Sequence, residues 1–117
     1  MNRDELKKRT KNFALRVIKL VSALPNTPTG GVIGNQLLRS GTSVGSNYRA
    51  ACRAKSKADF IYKIKIVEEE VDESAYWLEL IIESGLMLKS KIESLLKEAD
   101  ELTAIFVSSN KTAKSKK

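Results

Sequence analysis

Residues 57–84 read Lys-Ala-Asp-Phe-Ile-Tyr-Lys-Ile-Lys-Ile-Val-Glu-Glu-Glu-Val-Asp-Glu-Ser-Ala-Tyr-Trp-Leu-Glu-Leu-Ile-Ile-Glu-Ser, and this stretch decides the fold. Plotted at about 100° per residue, Phe60, Ile61, Ile64, Val67, Val71, Ala75, Leu78 and Ile82 fall on one side, the period of an α-helix and not of a strand. Ser56 precedes it as an N-cap, with Asp59 three residues on as an approximate capping box, and Gly85 follows as a C′ residue. The opposite side carries Tyr62, Ile66, Trp77 and Leu80, with Tyr76 at its edge and Glu69 and Glu73 between. A surface helix of a monomer is polar there. A helix apolar on two sides touches two neighbours, so Tyr62, Ile66, Trp77 and Leu80 are expected at the interface of a homo-oligomer. Glu68 falls inside the core stripe and, if buried, needs a partner. Tyr48 and Asn47 are available donors; the alternative is that Glu68 reaches water at the stripe's edge.

Three further helical patterns flank this one. The first runs from about Asp4 to Leu24, with Leu6, Thr10, Phe13, Ala14, Val17, Leu20, Val21 and Leu24 inward, Asn2 as its cap and Pro25 as its stop. Residues 25–31 read as a loop by composition, and the second helix then spans about Val32 to Arg53. Its inner face (Ile33, Leu37, Ser40, Val44, Asn47, Tyr48, Ala51) is thin in large side chains. Gly34, Gly41 and Gly45 each cost roughly 1 kcal/mol of helix propensity, which a close approach of a second helix explains. The fourth spans about Leu88 to Ser109, with Leu88, Ile92, Leu95, Ala99, Leu102 and Phe106 inward. Together these predict one all-α domain, an antiparallel up-down-up-down four-helix bundle over residues 1–110, followed by a basic, frayed tail at 111–117.

Composition agrees. Histidine is absent and Cys52 is the one cysteine among 117 residues, so an internal disulfide is excluded, and a zinc site would need other ligands. No apolar run is long enough for a membrane span or compact enough for a signal peptide, and a cytoplasmic, bacterial-type protein with a reduced Cys52 is expected. The net charge of +7 is unevenly laid out: residues 1–55 hold 11 Lys+Arg against 2 Asp+Glu, residues 56–110 hold 6 against 12, and residues 111–117 add four Lys. This layout suits self-complementary packing with a surplus for an acidic partner.

The catalytic motifs present lack their contexts. Gly41-Thr42-Ser43-Val44-Gly45 fits G-x-S-x-G, but neither a preceding strand nor a histidine base exists. Ser94-Leu95-Leu96-Lys97 fits S-x-x-K without its companion motifs, and Gly30, Gly31 and Gly34 lack the Lys and the βαβ unit of a phosphate loop. Glu68-Glu69-Glu70 points around a helix instead of at one ion. Trp77 reads as packing, and Cys52 as a helix-contact residue with no base to activate it. The expectation is a non-enzyme without cofactor or metal. Cations remain as the functional signal. Arg39, Arg49 and Arg53 form a ridge suited to bidentate phosphate contacts, and Lys8, Lys11 and Lys19 add point charges. The competing reading pairs these arginines with the acids of the third helix.

Residues 36–47, Gln-Leu-Leu-Arg-Ser-Gly-Thr-Ser-Val-Gly-Ser-Asn, and residues 67–80, Val-Glu-Glu-Glu-Val-Asp-Glu-Ser-Ala-Tyr-Trp-Leu-Glu-Leu, resemble the two signatures of the four-helix-bundle proteins also called 23S rRNA intervening sequence proteins. Many members place Ala-Glu-Gly shortly after the asparagine; here Asn47 is followed by Tyr48-Arg49-Ala50-Ala51-Cys52, which suggests a subgroup. The resemblance implies a left-handed bundle assembling as a ring-shaped homopentamer. Some relatives are encoded inside insertions in bacterial 23S rRNA genes. A similar bundle accompanies diversity-generating retroelements, where it binds nucleic acid and a reverse transcriptase. Two expectations follow: non-specific binding of RNA or DNA by an oligomer, or a protein-interaction scaffold whose charges serve subunit pairing.

Overall fold

The structure, a computed structural model, describes residues 1–116; Lys117, the last residue of the expected tail, lies outside the described residues. Asn2 opens helix α1 (Arg3–Ser22), its Oδ1 accepting the Glu5 N–H at 2.8 Å, with Asp4 and Glu5 in the first turn where the helix dipole favours anions. Helix α2 (Pro28–Cys52) starts earlier than its composition suggests. Thr27 Oγ1 accepts the Gly30 N–H at 3.1 Å and Pro28 occupies the first helical turn, so a cap and a prolyl ring with φ already helical enlist two glycines that look like loop. Ser56 caps helix α3 (Lys57–Glu83) as expected, accepting the Asp59 N–H at 3.0 Å, and Gly85 follows it with φ +75°.

The last link departs most from expectation. Lys89–Lys91 form a single 3-10 turn and helix α4 (Glu93–Ser115) begins only after Ile92, which leaves Leu88, expected in the core, 71% exposed. At its other end α4 continues through 111–115, the segment read from composition as frayed. Thr112 and Ala113 share a hollow with Phe60 of α3 and Arg3 of α1. The end of α4 thus lies beside α1 and α3.

The bundle is antiparallel. Gly45 lies against Thr10, Gly41 against Val17, and Gly34 against Val21 and Leu24, so numbers fall on α2 as they rise on α1. Likewise Arg9 reaches Glu98 and Glu101 of α4, while Arg16 reaches Ser94. Both α1 and α3 pack on α2 and α4, which places them across the core from each other. The glycines do what the propensity cost implied: they let backbones close in. The core is built from Phe13, Val17, Leu37, Val44, Ile64, Val67, Val71, Leu78, Ile81, Ile92, Leu102 and Phe106, all fully buried. Ile81 takes the place expected of Ile82, which is half-buried like Phe60 and Ile61. Buried hydroxyls are satisfied locally: Thr10 donates to the Leu6 carbonyl at 2.8 Å, and Ser40 and Ser74 meet at 3.0 Å between α2 and α3. Glu68 sits at the edge of the stripe beside Lys65 at 3.5 Å, and Asn47 donates instead to the Ser43 carbonyl at 2.8 Å. Among the described residues, no strand forms and no helix is long and apolar enough to cross a membrane.

Candidate nucleic-acid interface

The ridge of cations on α2 divides between two neighbours. Arg39 leans toward α3: Nη1 lies 3.2 Å from Glu70 Oε2 and Nη2 bonds Glu73 Oε2, an oxygen that also accepts the Trp77 indole N–H at 3.1 Å. The hydrogen bond to Glu73 leads the causes that hold the Arg39 guanidinium above its ordinary pKa. Arg39 is thus ion-paired within the protomer, and for this arginine the pairing with third-helix acids is what forms.

Arg49 leans the other way, over a groove of about 430 Å³ between α1 and α2. Lys7, Lys8 and Lys11 rise from α1 on one bank; Thr42, Ser46 and Arg49 stand on the other, and Gly45 leaves the floor open. The hydroxyl protons are already used, Thr42 donating to the Leu38 carbonyl at 2.7 Å and Ser46 to the Ser43 carbonyl at 3.2 Å. The donors free to meet a ligand are therefore the four cations. Arg53 sits beyond them at the end of α2, donating to the Arg49 carbonyl at 3.2 Å. Among the described residues, none of Lys7, Lys8, Lys11, Arg49 or Arg53 takes part in an ion pair. Four positive charges around one groove raise the local positive potential.

Lys7 is a groove residue that the cation pattern of the sequence does not mark. It lies toward α2, a direction that becomes visible only when the two helices are docked; its spacing of four residues from Lys11 was the available signal. Lys19 is placed apart from the groove. It borders a larger hollow, about 670 Å³, between α1 and the start of α4, with Arg16, Lys91 and an apolar floor that includes Leu20 and Leu95. Farther along the same pair of helices, Arg9 Nε lies 2.7 Å from Glu98 and its Nη2 lies 2.8 Å from Glu101. Those carboxylates, Glu98 foremost, raise the Arg9 pKa.

Of the residues expected at a subunit interface, Tyr62 is 66% exposed, whereas Ile66, Trp77 and Leu80 are half-buried within the protomer. Trp77 also packs edge-on against Tyr76 at 5.1 Å. The acids Glu68, Glu69 and Glu70 diverge: Glu68 meets Lys65, Glu70 meets Arg39, and Glu69 faces outward. Ser43 of the G-x-S-x-G stretch lies mid-helix, donating to the Arg39 carbonyl at 2.7 Å.

This architecture recurs in a solved structure. A protein of unknown function from the S23 ribosomal protein family of Bacteroides thetaiotaomicron VPI-5482, determined by crystallography at 1.70 Å resolution, superposes with a TM-score of 0.87 at 37% sequence identity, over 95% of this chain and 99% of that one. No curated protein matches the chain. The pattern of conserved positions that defines the 23S rRNA-intervening sequence proteins matches residues 3–108, a span that takes in α1, α2 and α3 whole and α4 as far as residue 108. With the sequence pattern and the bundle in agreement over nearly its whole length, the chain belongs to the 23S rRNA-intervening sequence protein family.

Proposed function

We propose that this protein binds RNA or DNA non-specifically through the phosphate backbone, acting as a cytoplasmic homo-oligomer and not as an enzyme. The observation that carries the reading is the α1–α2 groove, where Lys7, Lys8, Lys11 and Arg49 gather with no carboxylate partner among the described residues. Neutralising phosphates with these groups releases counterions, so affinity should fall steeply with salt. No base-reading motif accompanies the cations, and discrimination between sequences should be weak. A ring, which the resemblance gives as a pentamer, would repeat the groove around an axis and raise apparent affinity without new contacts.

The test is fluorescence anisotropy of labelled duplex DNA and single-stranded RNA across a range of salt. Wild type should show a slope of log K against log salt near −0.9 per phosphate engaged on duplex and about −0.7 on single strands. Changing Lys7, Lys8, Lys11 and Arg49 together to Gln should flatten it, while Arg39→Gln should leave it unchanged. The exposed Tyr62 and Tyr76 favour a second reading, a scaffold for a partner protein such as a reverse transcriptase. Absence of binding at about 50 mM salt, where counterion release is strong, would reject the first reading in favour of the second.

A further inference from the structure

Two exposed faces, on helices that lie across the core from each other, are complementary in both charge and apolar content. On α1, Leu15 is 56% and Ile18 43% exposed, with Lys19 exposed beside them. On α3, Tyr76 is 53% exposed, flanked one turn away on either side by exposed Asp72 and Glu79. Among the described residues, neither Lys19 nor Asp72 nor Glu79 is ion-paired. Isolated exposed apolar side chains are ordinary; what distinguishes these is that unpaired charges of opposite sign flank them on the two faces. The two faces also stand at one level along the bundle. Val17 is opposite Gly41 on α2, and the adjacent Ser40 bonds Ser74 on α3, so Ile18 and Lys19 share a height with Tyr76.

We infer that the α3 face of one copy, Asp72, Tyr76 and Glu79, docks on the α1 face of a second copy, Leu15, Ile18 and Lys19. The inference rests on the homo-oligomer of the preceding reading and names its contact. Opposite charge on opposite sides of one protomer cannot pair by a two-fold axis that joins like to like; it makes a heterologous, head-to-tail interface, which closes into a ring when the rotation per copy allows. The tyrosine supplies aromatic contact area over the Leu15–Ile18 pair, and the charges fix the register. Docking with parallel bundle axes needs no change of height, since both faces lie at the same level. The contact leaves Lys7 and Arg49 on the neighbouring groove, while Lys8 and Lys11 adjoin it, Lys11 one turn before Leu15 on the same face of α1. Lys19, expected from sequence to meet phosphate, is assigned here to the neighbouring copy.

The experiment is a charge swap read by analytical ultracentrifugation and native mass spectrometry, with helical circular dichroism as the check on folding. Lys19→Glu alone and Asp72→Lys/Glu79→Lys alone should each weaken self-association by at least about tenfold, since like charges then face each other. A chain carrying all three substitutions should recover association, because the signs again match. If either single-face variant associates like wild type, or if the folded three-substitution chain stays dissociated, this contact is overturned while a ring built on other surfaces survives. A wild type that is monomeric at all concentrations overturns the ring and the contact together. Should a reversal impair folding, Lys19→Gln and Glu79→Gln remove the charges without opposing them. The contact predicts that each weakens association less than the reversal does, and no change in either overturns it.

Discussion

Alanine at Gly41 sets two well-calibrated effects against each other. A Cβ there would stand 2.8 Å from both Cγ1 and Cγ2 of Val17 and 3.1 Å from its Cβ. Val17 is fully buried, and a helical valine is held to essentially one χ1 rotamer, so its methyl groups cannot turn aside. The helices must part slightly, and overpacking of this kind costs about 1–3 kcal/mol. Alanine is the better helix former by about 1 kcal/mol, which leaves a net destabilisation of up to about 2 kcal/mol. Gly31 isolates the propensity effect, because nothing lies within 4 Å of its added Cβ and the site is exposed. Gly31→Ala should therefore stabilise by about 0.5–1 kcal/mol. Gly45→Ala, whose Cβ would lie 3.3 Å from Thr10 Oγ1, should fall between the two. Urea denaturation at one fixed protein concentration gives the order directly; in a thermal scan each 1 kcal/mol moves Tm by about 4 °C for a chain of this size. A Gly41→Ala protein stabilised as much as Gly31→Ala would refute the claim that α1 and α2 meet through the missing side chain.

Three other outcomes are expected. Thr27→Ala removes the cap that starts α2 at Pro28 and should cost about 1 kcal/mol in denaturation, with Thr27→Ser largely restoring it. Arg9→Met should cost about 1 kcal/mol, less than a fully buried ion pair because Arg9 is partly exposed, and by leaving half-buried Glu98 unpaired; an equal loss from Arg16→Met, which meets only the Ser94 hydroxyl, would contradict the assignment. Burial, then the hydrogen bond with Cys52, pushes the Tyr48 phenol above its ordinary 10.0. A phenol raised on folding stays neutral where the unfolded chain ionises, so its stabilising contribution is whole below pH 10.0 and is lost as pH rises beyond that value. Stability measured through this alkaline range should fall more steeply in wild type than in Tyr48→Phe.

Periodicity and punctuation in the sequence determined four helices, the caps at Asn2 and Ser56, the C′ glycine at 85 and most of the core, because an α-helix is a local structure and its buried face repeats every 3.6 residues. Gly34, Gly41 and Gly45 could be assigned to a close helix contact from their propensity cost alone. At the start of α2 two glycines outweighed signals that are local, the Thr27 cap and Pro28; the delay of α4 behind a 3-10 turn, the exposure of Leu88 and the persistence of helix to Ser115 were not legible. The candidate site divides along the same line. The sequence supplies an excess of cations in residues 1–55, but whether a given arginine meets a carboxylate or water depends on which helix stands beside it. Arg39 and Arg49 lie ten residues apart on one helix, and docking turns the first toward Glu70 and Glu73 and the second toward Lys8 and Lys11. Charge is a property of a residue, whereas its compensation is a property of distances across the bundle, and only the tertiary structure sets those.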